Sequence, residues 1–227
     1  MKTICRKIRT SVMGTLCILA VLFTAVPPDS GYAKTAGVSF GEQRKIQRLI
    51  DSSIIHYIEG ACNYPPKLEH FQFNKKMKTE IAFHNVKDHG AVSSQYSSDA
   101  ALMEKYRPYG GVFRYTDTVK SAVLKKGKAL FGDSFRISFA AGDGFSVSSN
   151  YPLSHDKKYI LMNFSDWGDW YAGHRYKIQK KGRIYTVKIM VSSYWGGADD
   201  DVTVHQFHVD LKKKSGSFQI TDMVFDR

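Results

Sequence analysis

A histidine beside a carboxylate is the commonest side-chain device for moving protons, and this chain has eight histidines: His56, His70, His84, His89, His155, His174, His205 and His208. His205 and His208 are three apart in an alternating run. On a strand they face opposite sides and cannot share a metal ion. His205 shares its side with Thr203, Phe207, Val209 and Leu211, which read as core. With Asp222 on the next strand as partner, it is the candidate general base. The competing reading is a core histidine satisfied by one hydrogen bond. No HExxH, CxxC or GxSxG pattern occurs. Gly142-Asp143-Gly144 reads as a turn, because one Gly-x-Gly does not make a phosphate loop. No cofactor is expected from these residues.

Cysteine chemistry depends on which part of the chain persists. Lys2, Arg6, Lys7 and Arg9 precede an uncharged apolar run, Val12–Val26, which ends at Pro27-Pro28. Gly31-Tyr32-Ala33 then supplies a small-x-small site. This order predicts a secretory signal peptide over residues 1–33, cleaved after Ala33, and a single α+β domain over 34–227. The apolar run is shorter than the ~20 residues a spanning helix needs. Cys17 as a lipid attachment site is disfavoured, because Leu16 stands where a lipoprotein signal usually has a small residue. Cleavage removes Cys5 and Cys17 and leaves Cys62 alone, with no intramolecular disulfide open to it. It reads as a small buried hydrophobe beside a helix end. The net charge of +12 falls to +9. No second apolar run is long enough to span a membrane, so the mature chain is expected to be soluble, and secreted or at the cell envelope. With 43% hydrophobic and 24% charged residues the chain is globular and not disordered.

The elements that must position these residues change character along the chain. Ile46, Leu49, Ile50, Ser53, Tyr57 and Ile58 recur at helical spacing, predicting a helix over 41–60 that Pro65-Pro66 follows. Neither period is sustained over 67–95. Asp99 caps a short helix to Tyr106, and Thr116 or Asp117 caps a second one to Leu130, in which Gly127 is a mild cost. After Gly132 the period moves toward two, with Phe135, Ile137 and Phe139 alternating and a strand over 158–164. Four stronger strands follow at 173–179, 184–194, 202–211 and 218–225. The connections between the first two and the last two are short and contain glycine. The expected fold is α+β, with N-terminal helices packed on a curved C-terminal antiparallel sheet, a meander. In layout alone, residues 40–227 resemble the cone-shaped NTF2-like proteins, with cystatin-like folds as near neighbours. The resemblance implies a fold and no site residue.

A meander places alternate turns at opposite ends. One end then collects Lys180, Lys181, Arg183, Lys212, Lys213 and Lys214. The other collects Asp199, Asp200 and Asp201 with Trp195, and the approach segment adds Asp166, Trp167, Asp169 and Trp170. Indole faces beside carboxylates suit a polar ligand with apolar faces, such as a sugar. Asp199, Asp200 and Asp201 are also a candidate Ca²⁺ set, although no EF-hand spacing is present. The plainer reading has tryptophans plugging the sheet and aspartates capping turns. The basic end suits an anionic envelope polymer, a membrane surface or nucleic acid. An exported chain without a nucleic-acid-binding module argues against the last. Three function classes follow: a non-enzymatic exported binding protein acting on an envelope polymer or another exported protein, a regulator or inhibitor of an exported enzyme, and a small enzyme with an NTF2-like pocket.

Overall fold

Ser39 begins the helical half with a capping box. Its hydroxyl accepts the Glu42 backbone N–H, and the Glu42 carboxylate accepts the Ser39 N–H in return. The computed structural model describes residues 37–62, 68–142, 149–163, 172–194 and 202–226. The helix expected over 41–60 is two helices, α1 (Phe40–Ser53) and α2 (Ile55–Cys62), separated at Ile54. The break lets consecutive Ile54 and Ile55 both be buried, together with Ile46, Ile50 and Ile58. One continuous helical stripe would not do this.

The stretch that showed no period contains α3 (Lys75–His84), capped by Asn74, whose side-chain oxygen accepts from Lys76 N and Met77 N. Thr79, Glu80, Ile81, Ala82 and Phe83 are all buried. Five consecutive buried positions leave no polar face in that half of the helix, while Lys75 and Lys76 are exposed at its start, so no amphipathic stripe runs its length. Then come α4 (Gly90–Ser93), α5 (Ala100–Lys105), β1 (Gly111–Arg114) and α6 (Asp117–Phe131). Asp99 caps α5 as expected, accepting from Ala101 N and Leu102 N. Thr116 precedes α6 without a capping side-chain hydrogen bond.

Strands β2 (Ala141–Gly142), β3 (Leu153–Ser154) and β4 (Tyr159–Met162) join β1 in a small sheet of order β1-β4-β3-β2. Of this sheet only β4 was expected, as the strand over 158–164. Strand β1 lies between the two expected helices, where no strand was expected. The expected strand at Phe135–Phe139 is not a strand and belongs to neither sheet. It is tied to α3 by the Ser138 N–H donating to Thr79 Oγ1 at 2.8 Å. Its alternating aromatics pack on the helices and the link before α6 instead: Phe135 on Phe131 of α6, and Phe139 on Phe83 of α3 and on Tyr115.

The large sheet is the expected meander, order β5-β6-β7-β8, formed by β5 (Ala172–Lys181), β6 (Ile184–Tyr194), β7 (Val202–Lys214) and β8 (Ser217–Asp226). The molecule is α+β, with helices in the N-terminal half and a C-terminal antiparallel four-stranded sheet that does not close into a barrel. Tyr185, Val187, Ile189, Val191, Phe207, Val209, Leu211, Phe218 and Ile220 cover its inner face and form one core with α1 and α2. A second core joins α3 and α6 to the small sheet through Phe83, Phe113, Val119, Val123, Phe135, Tyr151 and Ile160. Helix α3 contributes Ile81 to the first core and Ala82 and Phe83 to the second.

Between these cores lies a polar knot around Glu80, which is 2% exposed. Its Oε2 accepts Tyr57 Oη–H at 3.0 Å and Asn150 N–H at 3.0 Å, and its Oε1 accepts Ser149 Oγ–H at 2.5 Å. Burial, followed by the Glu80 charge, pushes the Tyr57 hydroxyl well above its ordinary range. One turn along, His84 Nδ1 meets Tyr151 Oη at 2.6 Å. Burial first, and the Lys87 charge next, push His84 down to about 4, so it is neutral at pH 7.

Candidate functional site

Both hairpins at the basic end close in two residues. Lys181 pairs with Ile184 around Gly182-Arg183, and Lys214 pairs with Ser217 around Ser215-Gly216. Gly182 has φ +61°, and Ser215 and Gly216 have φ +47° and +82°. These are the backbone conformations that two-residue hairpin loops demand. The turns are therefore tighter than the expected 180–183 and 212–216. Lys180, Lys181, Lys212, Lys213 and Lys214 are strand residues, so their side chains alternate between faces.

That alternation divides the cations. Lys180 lies in one cross-strand row with Tyr185, Leu211 and Ile220, on the inner face beneath which the helices pack. Lys213, opposite Phe218, shares that face. Both meet Glu42 of α1: Lys213 Nζ donates to Glu42 Oε1 at 2.9 Å, and Lys180 Nζ stands 4.0 Å from Oε2. Tyr185 Oη donates to Glu42 Oε1 at 2.7 Å, and Lys180 also sits over the Tyr185 ring, 4.9 Å from its centroid. At the turn, Lys214 Nζ bonds Asp133 at 2.8 Å, and Lys45 Nζ donates to the Gly216 carbonyl at 3.3 Å. Lys181 and Lys212 point to the outer face in a row with Ile184 and Gln219, and Arg183 is exposed in the turn. Among the described residues, no carboxylate pairs with these three cations.

Glu42 holds this end to α1. The hydrogen bond from Lys213, then those from Tyr185 and the Ser39 backbone, bring its carboxyl down to about 2 from 4.5. The folded state therefore binds the Glu42 proton less readily than the unfolded chain does. Its stabilising contribution is complete above about pH 4.5 and is lost as pH falls toward 2. We expect Glu42→Gln to lower the urea midpoint at pH 7, and the difference from wild type to close as pH falls through that window. A difference that is constant from pH 7 to pH 2 would contradict the role given to the Lys213 and Tyr185 bonds.

The other expected site residues are placed differently. Asp166, Trp167, Asp169 and Trp170, and Trp195 with Asp199, Asp200 and Asp201, lie outside the described residues, as does the segment 1–36. The backbone that leads to them converges: Ala172 pairs with Ser193 and Tyr194 with Val202, at the end of the sheet opposite the hairpin turns. His205 and Asp222 are not brought together. His205 lies opposite Val191 on the inner face, with its ring 6.0 Å from that of Phe225, and burial lowers its pKa. Asp222 is paired with Asp210, exposed, and on the outer face. Five strand residues separate the two positions, about 17 Å. The dyad fails on distance along the strands, and a bulge between Asp210 and Leu211, which leaves Thr221 unpaired, also puts Asp222 on the other face.

Among the described residues three other histidines have the carboxylate neighbours that His205 lacks, one of them the exposed His56, whose Nδ1 lies 3.2 Å from Glu59. His208 Nδ1 lies 2.9 Å from Asp226 on the outer face, and Gln206 bonds the same carboxylate. His174 Nδ1 lies 3.2 Å from Glu59 of α2, and its Nε2 3.7 Å from Asp51 of α1, which also accepts the Tyr176 hydroxyl. Both partners of His174 are more than a hundred residues away in the chain, so no local spacing could have marked them. Cys62 is buried, and burial pushes its thiol up to about 12, the behaviour of an inert core residue. Among the described residues no group of three His, Cys, Asp or Glu side chains could hold a metal ion, and no helix is long and apolar enough to cross a membrane. No protein-family model, curated protein or solved structure matches the chain.

Proposed function

We propose that this is an exported, non-enzymatic binding protein that recognises an anionic polymer of the cell envelope through the hairpin end of its large sheet. The observation that carries the reading is the division of the cations there. Lys180, Lys213 and Lys214 are matched by Glu42 and Asp133, while Lys181, Arg183 and Lys212 are exposed and have no carboxylate partner among the described residues. Paired lysines hold a strand end in place. Exposed, unmatched ones raise the local concentration of an anion. The basic, apolar and small-residue order of residues 1–33 supports export.

The test is sedimentation of the purified protein with isolated envelope material. Binding at low salt that is released as salt rises is the expected result, since exposed charges are screened beyond about 10 Å at 0.1 M. The triple change Lys181→Gln, Arg183→Gln and Lys212→Gln should leave most of the protein in the supernatant. Envelope stripped of its anionic polymers should do the same to the wild type. Protein that stays in the supernatant with intact envelope at low salt would overturn the proposal.

A further inference from the structure

The basic character does not stop at the hairpin turns. From Ala172 to Tyr194 the chain contains Arg175, Lys177, Lys180, Lys181, Arg183 and Lys188 and no aspartate or glutamate. Register assigns their faces. Arg175 is opposite Met190, Lys177 opposite Lys188, and Lys181 opposite Ile184, all on the side away from the helices. The acids of the outer face, Asp210, Asp222 and Asp226, stand on β7 and β8. Two of them are occupied: Thr186 donates to Asp210 at 2.6 Å, and His208 lies 2.9 Å from Asp226. The outer face is therefore split lengthwise, with a cationic half on β5 and β6 beginning at the hairpin turn.

The Lys177–Lys188 pair is the sharpest feature of that half. Directly opposed residues on an antiparallel pair have Cβ atoms about 5 Å apart, and like charges at that separation destabilise a sheet. On the adjacent strand Asp210 stands diagonal to Lys188 and accepts the Thr186 hydroxyl, and Asp226 on β8, which feels the Lys188 charge, is engaged by Gln206 and His208. A like-charge pair whose neighbouring acids are engaged by other side chains is a local rule only partly compensated, as is expected where a ligand supplies the rest.

We infer that the outer face of the β5–β6 hairpin is the track for a linear phosphodiester polymer without bases, which runs from Arg183 and Lys181 past the Lys177–Lys188 pair to Arg175. This rests on the polyanion reading proposed above and gives it a ligand class and a path. The track follows β5, an edge strand, and Lys181 to Arg175 spans about 20 Å. Same-face positions recur about every 7 Å, so the cations meet a chain of regularly spaced charges and not one isolated anion. Single-stranded nucleic acid would need aromatic faces on which its bases stack. The outward side chains beside the track are Gln179, Ile184, Thr186 and Met190, none of them aromatic.

The experiment measures binding of a defined poly(glycerol phosphate) to the purified protein by anisotropy across a salt series. Single-stranded DNA of matched charge and anionic lipid vesicles serve as comparisons. Wild type should bind the polymer more tightly than the DNA or the vesicles, with log K falling linearly in log salt. The variant Arg175→Gln/Lys177→Gln/Lys188→Gln should lose at least about tenfold in affinity and show a shallower salt slope, since each lost contact removes one term from it. Without polymer, Lys177→Gln alone should raise the thermal midpoint, because it removes the like-charge pair and reports an intact fold. If the track variant binds as wild type does while Lys181→Gln/Arg183→Gln/Lys212→Gln does not, the track is wrong and the hairpin end alone is the site. If wild type binds DNA or vesicles as tightly as the polymer, the ligand class is overturned. If wild type binds no polyanion at low salt, the proposed function itself fails and the track with it.

Discussion

Glu80→Ala is expected to be among the most destabilising single substitutions in this protein. The side chain is 2% exposed and accepts from Tyr57, Ser149 and the Asn150 backbone. Its removal leaves these three donors facing a cavity in the middle of the molecule. A buried donor without an acceptor costs about 1–3 kcal/mol. Part of that is recovered if the Tyr57 and Ser149 hydroxyls rotate, but the Asn150 N–H cannot turn away. A net loss of about 3 kcal/mol or more follows, which for a domain of this size lowers the thermal midpoint by roughly 10 °C. Glu80→Gln should lose much less. Its carbonyl oxygen can keep the Tyr57 and Asn150 bonds on one side, and its amide can donate to a turned Ser149 hydroxyl. Urea denaturation of both variants is the measurement. Equal losses would show that the carboxylate contributes through its charge and not as the acceptor at the centre of the knot.

Gly127→Ala should destabilise the protein even though it improves the helix. Alanine is favoured over glycine inside a helix by about 1 kcal/mol. However, a Cβ at Gly127 would stand 2.1 Å from Cε1 and 2.3 Å from Cδ1 of Phe135. The ring lies directly on the bare backbone of α6. Phe135 is buried among Phe131 and the second core, and it cannot move without opening that packing. Overpacking costs of about 1–3 kcal/mol outweigh the propensity gain. Gly60, inside α2, has nothing within 4 Å of its Cβ position. The same change there should stabilise by up to about 1 kcal/mol. Opposite signs at the two glycines, with Phe135→Leu relieving the loss at Gly127 in a double-mutant cycle, is the expected pattern. Additive effects of Gly127→Ala and Phe135→Leu would rule out the steric account.

These substitutions mark where reading the chain stops. The four strands of the meander, the cap of α5 and the position of α6 were legible because each depends on neighbours within a few residues. Alternation makes a strand, glycine closes a hairpin, and Asp99 starts a helix. Helix α3 was illegible because its run Thr79 to Phe83 is buried on every side and shows no periodic face. Strand β1 was illegible because four residues carry too little pattern. Phe135–Phe139 alternates like a strand, yet it belongs to neither sheet and its aromatics pack on the helices and the link before α6. Gly127 read as a minor flaw in a helix, whereas it is the space in which Phe135 sits.

The candidate site divides the same way. The sequence by itself determined that two basic hairpin ends lie side by side, since the order of strands and turns in a meander is set by local chain reversal. Only the tertiary structure decided which of those cations are available. The side-chain period of a strand is two, so shortening each turn to two residues assigned Lys180 and Lys213 to the inner face and Lys181 and Lys212 to the outer one. Glu42, which neutralises the inner pair, is 138 residues before the first of them. The bulge at Thr221 put Asp222 on the face opposite His205, from which distance along the sheet already separated it. Charge at a strand end is a local property of the chain. Whether that charge is free to meet a ligand depends on a partner brought in from a distance by the packing of α1 beneath the sheet.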